Sequence, residues 1–268
     1  MNSIKKMMLS GALGCLISGM AYADGSSPQP VKPYWQDIQV VAVNKEKPRS
    51  SFMSYADRET ALTSRFEKSP YYSLLNGTWK FFFVDSYKDL PQNITDPSVN
   101  TSSWDDITVP GNWEVQGHGV AIYTNHGYEF KPRNPHPPLL PEANPVGVYR
   151  RDIEIPASWD NRDIYLHIGG AKSGLYVYLN GKEVGYSEDS KNPAEFLINK
   201  YLQPGKNVLT LKIFRWSTGS YLECQDFWRM SGIERDVFLW SQPKASIQDF
   251  RVVSTLDDTY TNGIFKLA

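Results

Sequence analysis

Cysteine is almost missing from this chain. Its 268 residues hold two, Cys15 and Cys224, and Cys15 sits inside an apolar run near the N-terminus. Without that segment only Cys224 remains, which excludes an internal disulfide framework. With no histidine-rich motif beside it, Cys224 reads as a small buried hydrophobe and not as a nucleophile. Charge of one sign is also lacking: 28 basic residues meet 29 acidic ones for a net charge of -1. No Lys/Arg run is long enough to make an electrostatic footprint for nucleic acid or an anionic membrane. No stretch after the N-terminus approaches the roughly 20 apolar residues of a membrane span. The common catalytic signatures are absent too: no G-x-S-x-G, no H-E-x-x-H, no phosphate-binding glycine loop and no paired C-x-x-C.

What is present begins with an export pattern. Lys5 and Lys6 precede an apolar run from Met7 to about Met20, and Ala21-Tyr22-Ala23 follows with the small-x-small form a signal peptidase cleaves after. Residues 1–23 therefore read as a signal peptide, and the mature chain as periplasmic or extracellular. A lipoprotein reading through Cys15 is disfavoured, because the leucine expected three residues before it is missing and the apolar run continues past it. Residues 24–45 read as leader and linker, rich at first in Ser, Pro, Gly and Gln.

Beyond the leader the apolar pattern has a period of two. Ile164, Leu166 and Ile168 share a face, as do Leu175, Val177 and Leu179, and Leu209, Leu211 and Ile213. WKFFFV (79–84), VYRRDIEI (148–155), DVFLW (236–240) and IQDFRVV (247–253) add further strands. Asn180-Gly181 between LYVYL and KEVGY predicts a two-residue hairpin, since a type I′ turn needs positive φ at both central positions. AEFLINKYL (194–202) is the best candidate for a short helix or turn. Many strands with long polar connections predict an all-β fold, a jelly-roll sandwich over 46–242. The proline-dense PRNPHPPLLPEANP (132–145) is expected to run extended over the surface. At 243–268 a new strand pair opens and stops within a hairpin, as if a second sandwich were incomplete.

Few residues invite a chemical role. Of the four histidines, His167 alternates with Leu166 and Ile168 and is expected to face away from the core. His126 sits beside Asn125 in a loop dense with amide, phenol and imidazole groups, which suits hydroxyl-rich ligands. Trp113, Trp216 and Trp228 stand next to polar residues. That mixture serves sugar stacking, although the commoner role of such tryptophans is to anchor a core.

LNGTWKF (75–81), VPGNWEVQGHG (109–119), IYTN (122–125), NPVGVYRR (144–151), VYLNGKEVGYSEDSKNPAEF (177–196) and RWSTGSYLECQDFWRMSGIERDV (215–237) together resemble the N-terminal region of the large bacterial β-galactosidases of glycoside hydrolase family 2. The motifs stand in the family's order. The run SYLECQDFWRMSGI favours that branch over the β-glucuronidases and β-mannosidases.

The resemblance implies a galactose-binding-like jelly roll followed by the first strands of a truncated immunoglobulin-like sandwich. It implies that the two catalytic glutamates of a retaining glycosidase lie on a later (β/α)₈ barrel, so no catalytic residue is expected in this chain. It further implies that Asn125 touches the galactoside, and that Asp189 contacts the sugar and a sodium ion shared with the absent barrel. The family's magnesium has no ligands here. Glu188 and Lys191 then read as solvated neighbours, and Glu223, Asp226, Arg229, Glu234 and Arg235 as a charged network. Galactosides, and an oligomer or a complementing chain that carries the barrel, are the implied partners. The competing expectation is a free-standing carbohydrate-binding module that binds galactosides without hydrolysis.

Overall fold

A computed structural model of the chain describes residues 32–130 and 136–268. The signal segment with Cys15, the start of the leader and residues 132–135 of the proline-dense stretch lie outside the described residues.

Two antiparallel sheets face each other. The larger has seven strands in the order Ala42–Val43, Lys182–Ser187, Gly174–Leu179, Lys206–Phe214, Val146–Glu154, Gly77–Val84 and Asp105–Val109. The smaller runs Ala194–Leu197, Arg162–Ile168, Val237–Pro243 and Tyr72–Leu74. Alternation along the strands decides what meets between them. Ile164, Leu166 and Ile168 from the small sheet and Leu175, Val177, Leu179, Leu209, Leu211 and Ile213 from the large one fall in a single buried cluster. This is the sandwich core the period of two predicts.

The opposite face of the large sheet is covered as well. Trp35, Trp104, Val146, Val148, Tyr176 and Phe214 form a second buried cluster, which explains why Val146 to Arg150 is buried at every position. Trp35 is held between Phe214 and Tyr87 at ring centroid distances of 5.0 and 5.2 Å. The segment counted with the leader thus packs into the sandwich. A third cluster, Met53, Tyr165, Phe238 and Trp240, lies on the outer face of the small sheet beneath the segment 45–55 that crosses it.

The hairpin at Asn180-Gly181 forms as its sequence requires, with φ of 54° and 77° and Leu179 paired to Lys182. Asn180 also spans strands: its amide donates to the Tyr201 carbonyl and its Oδ1 accepts from the Val208 N–H at 2.9 Å.

Two expectations need correction. Residues 194–202 are not a helix: Ala194–Leu197 is an edge strand and Asn199–Tyr201 a 3₁₀ turn. Ala194 and Phe196 both enter the core while Leu197 faces out, so the period of two outweighs the helix formers around it. The strand expected from 247 begins at Val252, because Ser50 captures Asp249 and the Phe250 carbonyl at 2.8 Å each and turns that stretch aside. Val252–Leu256 and Gly263–Leu267 then pair with each other as a two-stranded sheet.

Candidate functional site

The loops at one end of the sandwich gather the residues the sequence singles out. Asp189 follows the strand Lys182–Ser187, and its neighbours are fastened to other elements. Glu188 is buried at 3% exposure. It accepts from the Tyr186 hydroxyl, the Thr218 hydroxyl and the Gly219 N–H at 2.7 Å each. Ser190 donates its N–H and hydroxyl to Glu223 at 3.0 and 2.7 Å. Lys191 pairs with Glu234, and its carbonyl accepts from Arg235. Between these anchors Asp189 is exposed and accepts from the Asn192 N–H and side-chain amide of its own loop, at 3.3 and 2.9 Å. Burial pushes its carboxyl up, but the Asn192 bonds and the Lys45 ammonium hold it below the ordinary range, so it is ionised.

Glu188 is therefore not a solvated neighbour. The reason is geometric: its backbone continues the strand beside Tyr186, and the side chain meets the 217–221 turn so closely that a methyl group on Gly219 would stand 3.3 Å from Glu188 Oε2. Burial raises the Glu188 carboxyl against the lowering effect of its three donors.

Asn125 is linked to this loop through Phe227. It ends the strand Ile122–Thr124, which pairs antiparallel with Phe227–Arg229, matching Thr124 to Phe227 and Tyr123 to Trp228. Asn125 and His126 are exposed and joined through Oδ1 and Nδ1 at 2.7 Å. Phe227 joins the two loops. It is the strand partner of Thr124, and the Lys191 and Lys172 ammonium groups each lie 5.6 Å from its ring centroid.

Beneath this end is a row of buried charges that the sequence did not single out. Glu114 faces Arg215 at 3.5 Å, Arg215 faces Glu129 at 3.6 Å, and Glu129 faces Lys172 at 3.7 Å. Every one of these side chains is at most 6% exposed. Glu129 stands four residues after Asn125, so the row anchors the loop that carries it. Signs alternate, as buried charges require. Sequence separations of 43, 86 and 101 residues hide such a row from any local pattern.

Among the described residues the five charged residues expected to form one network make no carboxylate–guanidinium pair with one another. Glu223 takes Ser190, Asp226 takes the Tyr123 hydroxyl, and Arg229 donates to the Glu223 carbonyl and not to its carboxylate. Glu234 takes Lys191, and Arg235 the Lys191 carbonyl. Trp113 and Trp216 are core anchors, whereas Trp228 is 54% exposed and lies 5.7 Å from the Tyr123 ring. Cys224 is half-buried with its thiol on the Ser220 carbonyl, and burial pushes the thiol pKa up, which keeps it protonated.

Among the described residues no three His, Cys, Asp or Glu side chains converge as a metal site. The Asp189 carboxylate suits a hard monovalent cation in kind, but it supplies only part of a shell of oxygen ligands.

A profile described as glycosyl hydrolases family 2, sugar binding domain, matches residues 72–243. A β-galactosidase of Priestia megaterium is 41% identical over 234 residues, 86% of this chain and 23% of that protein. One from Psychromonas ingrahamii is 38% identical over 229 residues, 85% of this chain and 22% of that protein. The chain thus spans under a quarter of the length of these relatives. Among solved structures, a β-glucuronidase of an uncultured Clostridium superposes with a TM-score of 0.52 at 23% identity, over 73% of this chain and 33% of that one. A β-glucuronidase of Bacteroides uniformis gives 0.51 at 20%, over 68% and 20%. At such identity these two speak for the fold alone.

Proposed function

This chain belongs to glycosyl hydrolase family 2 through its sugar-binding domain, and from that premise we propose that it is the sugar-binding portion of a β-galactosidase. Asn125 and Asp189 are the residues that reach the galactoside, and Asp189 also gives one oxygen ligand to a sodium ion whose other ligands come from elsewhere. The observation that carries this reading is the isolation of Asp189. Glu188, Ser190 and Lys191 are each tied to another element, whereas the exposed acid of the GYSEDS motif hydrogen-bonds within its own loop. An ionised carboxylate on a fixed loop accepts from sugar hydroxyls at little cost in ordering.

The described residues hold one α-helix, Arg58–Leu62, and no (β/α)₈ barrel. We therefore place the catalytic carboxylate pair outside these residues, on a (β/α)₈ barrel that this domain complements. We also assign the chain to the exported proteins, on the strength of its first 23 residues. N-terminal sequencing of the secreted protein tests that assignment, with Asp24 as the expected first residue.

The functional reading is tested by turnover of a chromogenic β-galactoside. The chain alone is expected to match a buffer blank. Mixed with the Priestia megaterium relative from which the matching region has been deleted, it is expected to restore turnover. Millimolar galactose binding by the chain alone with no restoration of turnover would instead favour a free-standing module.

A further inference from the structure

A cavity of about 340 Å³ lies between the outer face of the small sheet and the segment 45–53 that crosses it. Asp189 lines it, whereas Asn125 and its strand do not. One wall is the His167 imidazole, stacked on Phe238 with centroids 4.1 Å apart and planes 14° apart. Nδ1 of His167 lies 2.8 Å from Glu195. Glu195 also takes the Arg49 guanidinium through both oxygens at 3.0 and 3.1 Å, and the Trp240 indole N–H at 3.1 Å. Both carboxylate oxygens are thus engaged, which fixes the ring: Nδ1–H donates to Glu195, and Nε2 is the ring nitrogen left for a ligand. Among the described residues only Nδ1 is hydrogen-bonded, and the ring keeps part of its surface open.

The remaining lining is matched in sign. Lys45, Lys47 and Arg49 face Glu46, Asp189 and Glu195, three positive groups against three negative. Arg49 is neutralised by Glu195, and the Asp189 charge supports the Lys45 ammonium against its burial. No net charge remains to select an anion or a cation. What remains is the second imidazole nitrogen, the Asn192 amide and the Asp189 carboxylate, with the Phe52 and Phe66 rings in the same lining. Hydroxyls that both donate and accept, carried on a ring with an apolar face, fit that pairing. The volume falls at the lower end of small-ligand pockets, about 300–1,000 Å³.

We propose that this cavity is a second carbohydrate site, taking one neutral monosaccharide with a ring hydroxyl on His167 Nε2. It is separate from the Asn125 site, shares only Asp189 with it, and rests on the family reading solely for the choice of galactose as the first probe.

The test is an NMR titration of the full chain with D-galactose, following backbone amides. Saturable shifts are expected at residues 45–53 and 190–193, with affinity near millimolar. His167→Phe keeps a ring on Phe238 and removes the nitrogen, so about tenfold weaker binding is expected. Asn192→Leu, on an exposed loop, is expected to weaken it similarly, which keeps the test open should His167→Phe unfold. Asn125→Ala is expected to leave these shifts unchanged. Absence of saturable shifts at 45–53, or saturation unaltered by both His167→Phe and Asn192→Leu, overturns the proposal. Binding lost in Asn125→Ala but kept in His167→Phe overturns it while supporting the Asn125 site.

Discussion

Removing the Glu188 side chain is the sharpest structural perturbation available next to the site. In Glu188→Ala the Tyr186 hydroxyl, the Thr218 hydroxyl and the Gly219 N–H lose their acceptor in a region closed to water. A buried donor left unmet costs about 1–3 kcal/mol. The hydroxyls can rotate toward other acceptors and the N–H has no such freedom, so a total of roughly 3–5 kcal/mol is expected. For a domain of this size each kcal/mol shifts Tm by about 2–4 °C, so a fall of roughly 6–20 °C follows. Glu188→Gln behaves differently. Its Oε1 takes the place of the oxygen that accepts from Thr218 and Gly219, and its amide donates to Tyr186, whose hydroxyl reverses to accept. The buried charge disappears, so the variant is expected to match or exceed the parent above neutral pH. The sign follows from linkage: burial raises the folded carboxyl above its unfolded value, so its contribution is complete at acid pH and declines as pH rises through the folded value. Thermal unfolding followed by near-UV circular dichroism across pH checks this. A Glu188→Ala cost below about 0.5 kcal/mol, the range of ordinary surface changes, or a Glu188→Gln loss as large as that of Glu188→Ala, would refute the reasoning.

Three further outcomes follow from the same geometry. Glu195 has the opposite sign: burial raises its carboxyl, but the His167 hydrogen bond and the Arg49 charge prevail and lower it. Its stabilisation is therefore present above the unfolded value and lost as pH falls through the folded one, and Glu195→Gln is expected to flatten the acid limb of an unfolding profile. Arg215→Met leaves Glu114 and Glu129 without the cation between them, with an expected cost of about 3–5 kcal/mol in urea denaturation. Gly181→Ala places a methyl 2.9 Å from Pro97 Cδ at a φ of 77°. It is expected to cost about 1–3 kcal/mol by thermal unfolding, whereas Asn180→Gly should cost chiefly its side-chain bonds to Tyr201, Asn207 and Val208.

What could be read from the sequence was whatever depends on neighbours. Period-two faces such as Leu175, Val177 and Leu179 need only the pleat, and Asn180-Gly181 needs only its own dihedrals, so both carry straight into the fold. Ala194–Leu197 was misread because helix formers and strand alternation compete over so short a stretch, and pairing with Arg162–Ile168 decides between them. Glu188 was misread for a related reason. In sequence it belongs to a run of charges, and only contact with Thr218 and Gly219, thirty residues on, buries it. The row Glu114, Arg215, Glu129 and Lys172 joins four distant segments and leaves no local trace. Asn125 and Asp189 became visible through motif resemblance, and the structure adds the anchoring of Glu188, Ser190 and Lys191 around an exposed Asp189.

The claim that this chain supplies the sugar contacts of a β-galactosidase meets its most direct test in the reconstituted mixture, with kcat/KM for a chromogenic galactoside measured for Asp189→Ala and for the control Lys200→Ala. A loss of about one to two orders of magnitude for Asp189→Ala, equivalent to roughly 1.4–2.7 kcal/mol of transition-state stabilisation, with the control unchanged, is the expected result. Equal turnover for parent and Asp189→Ala, or hydrolysis by the chain alone, would contradict it.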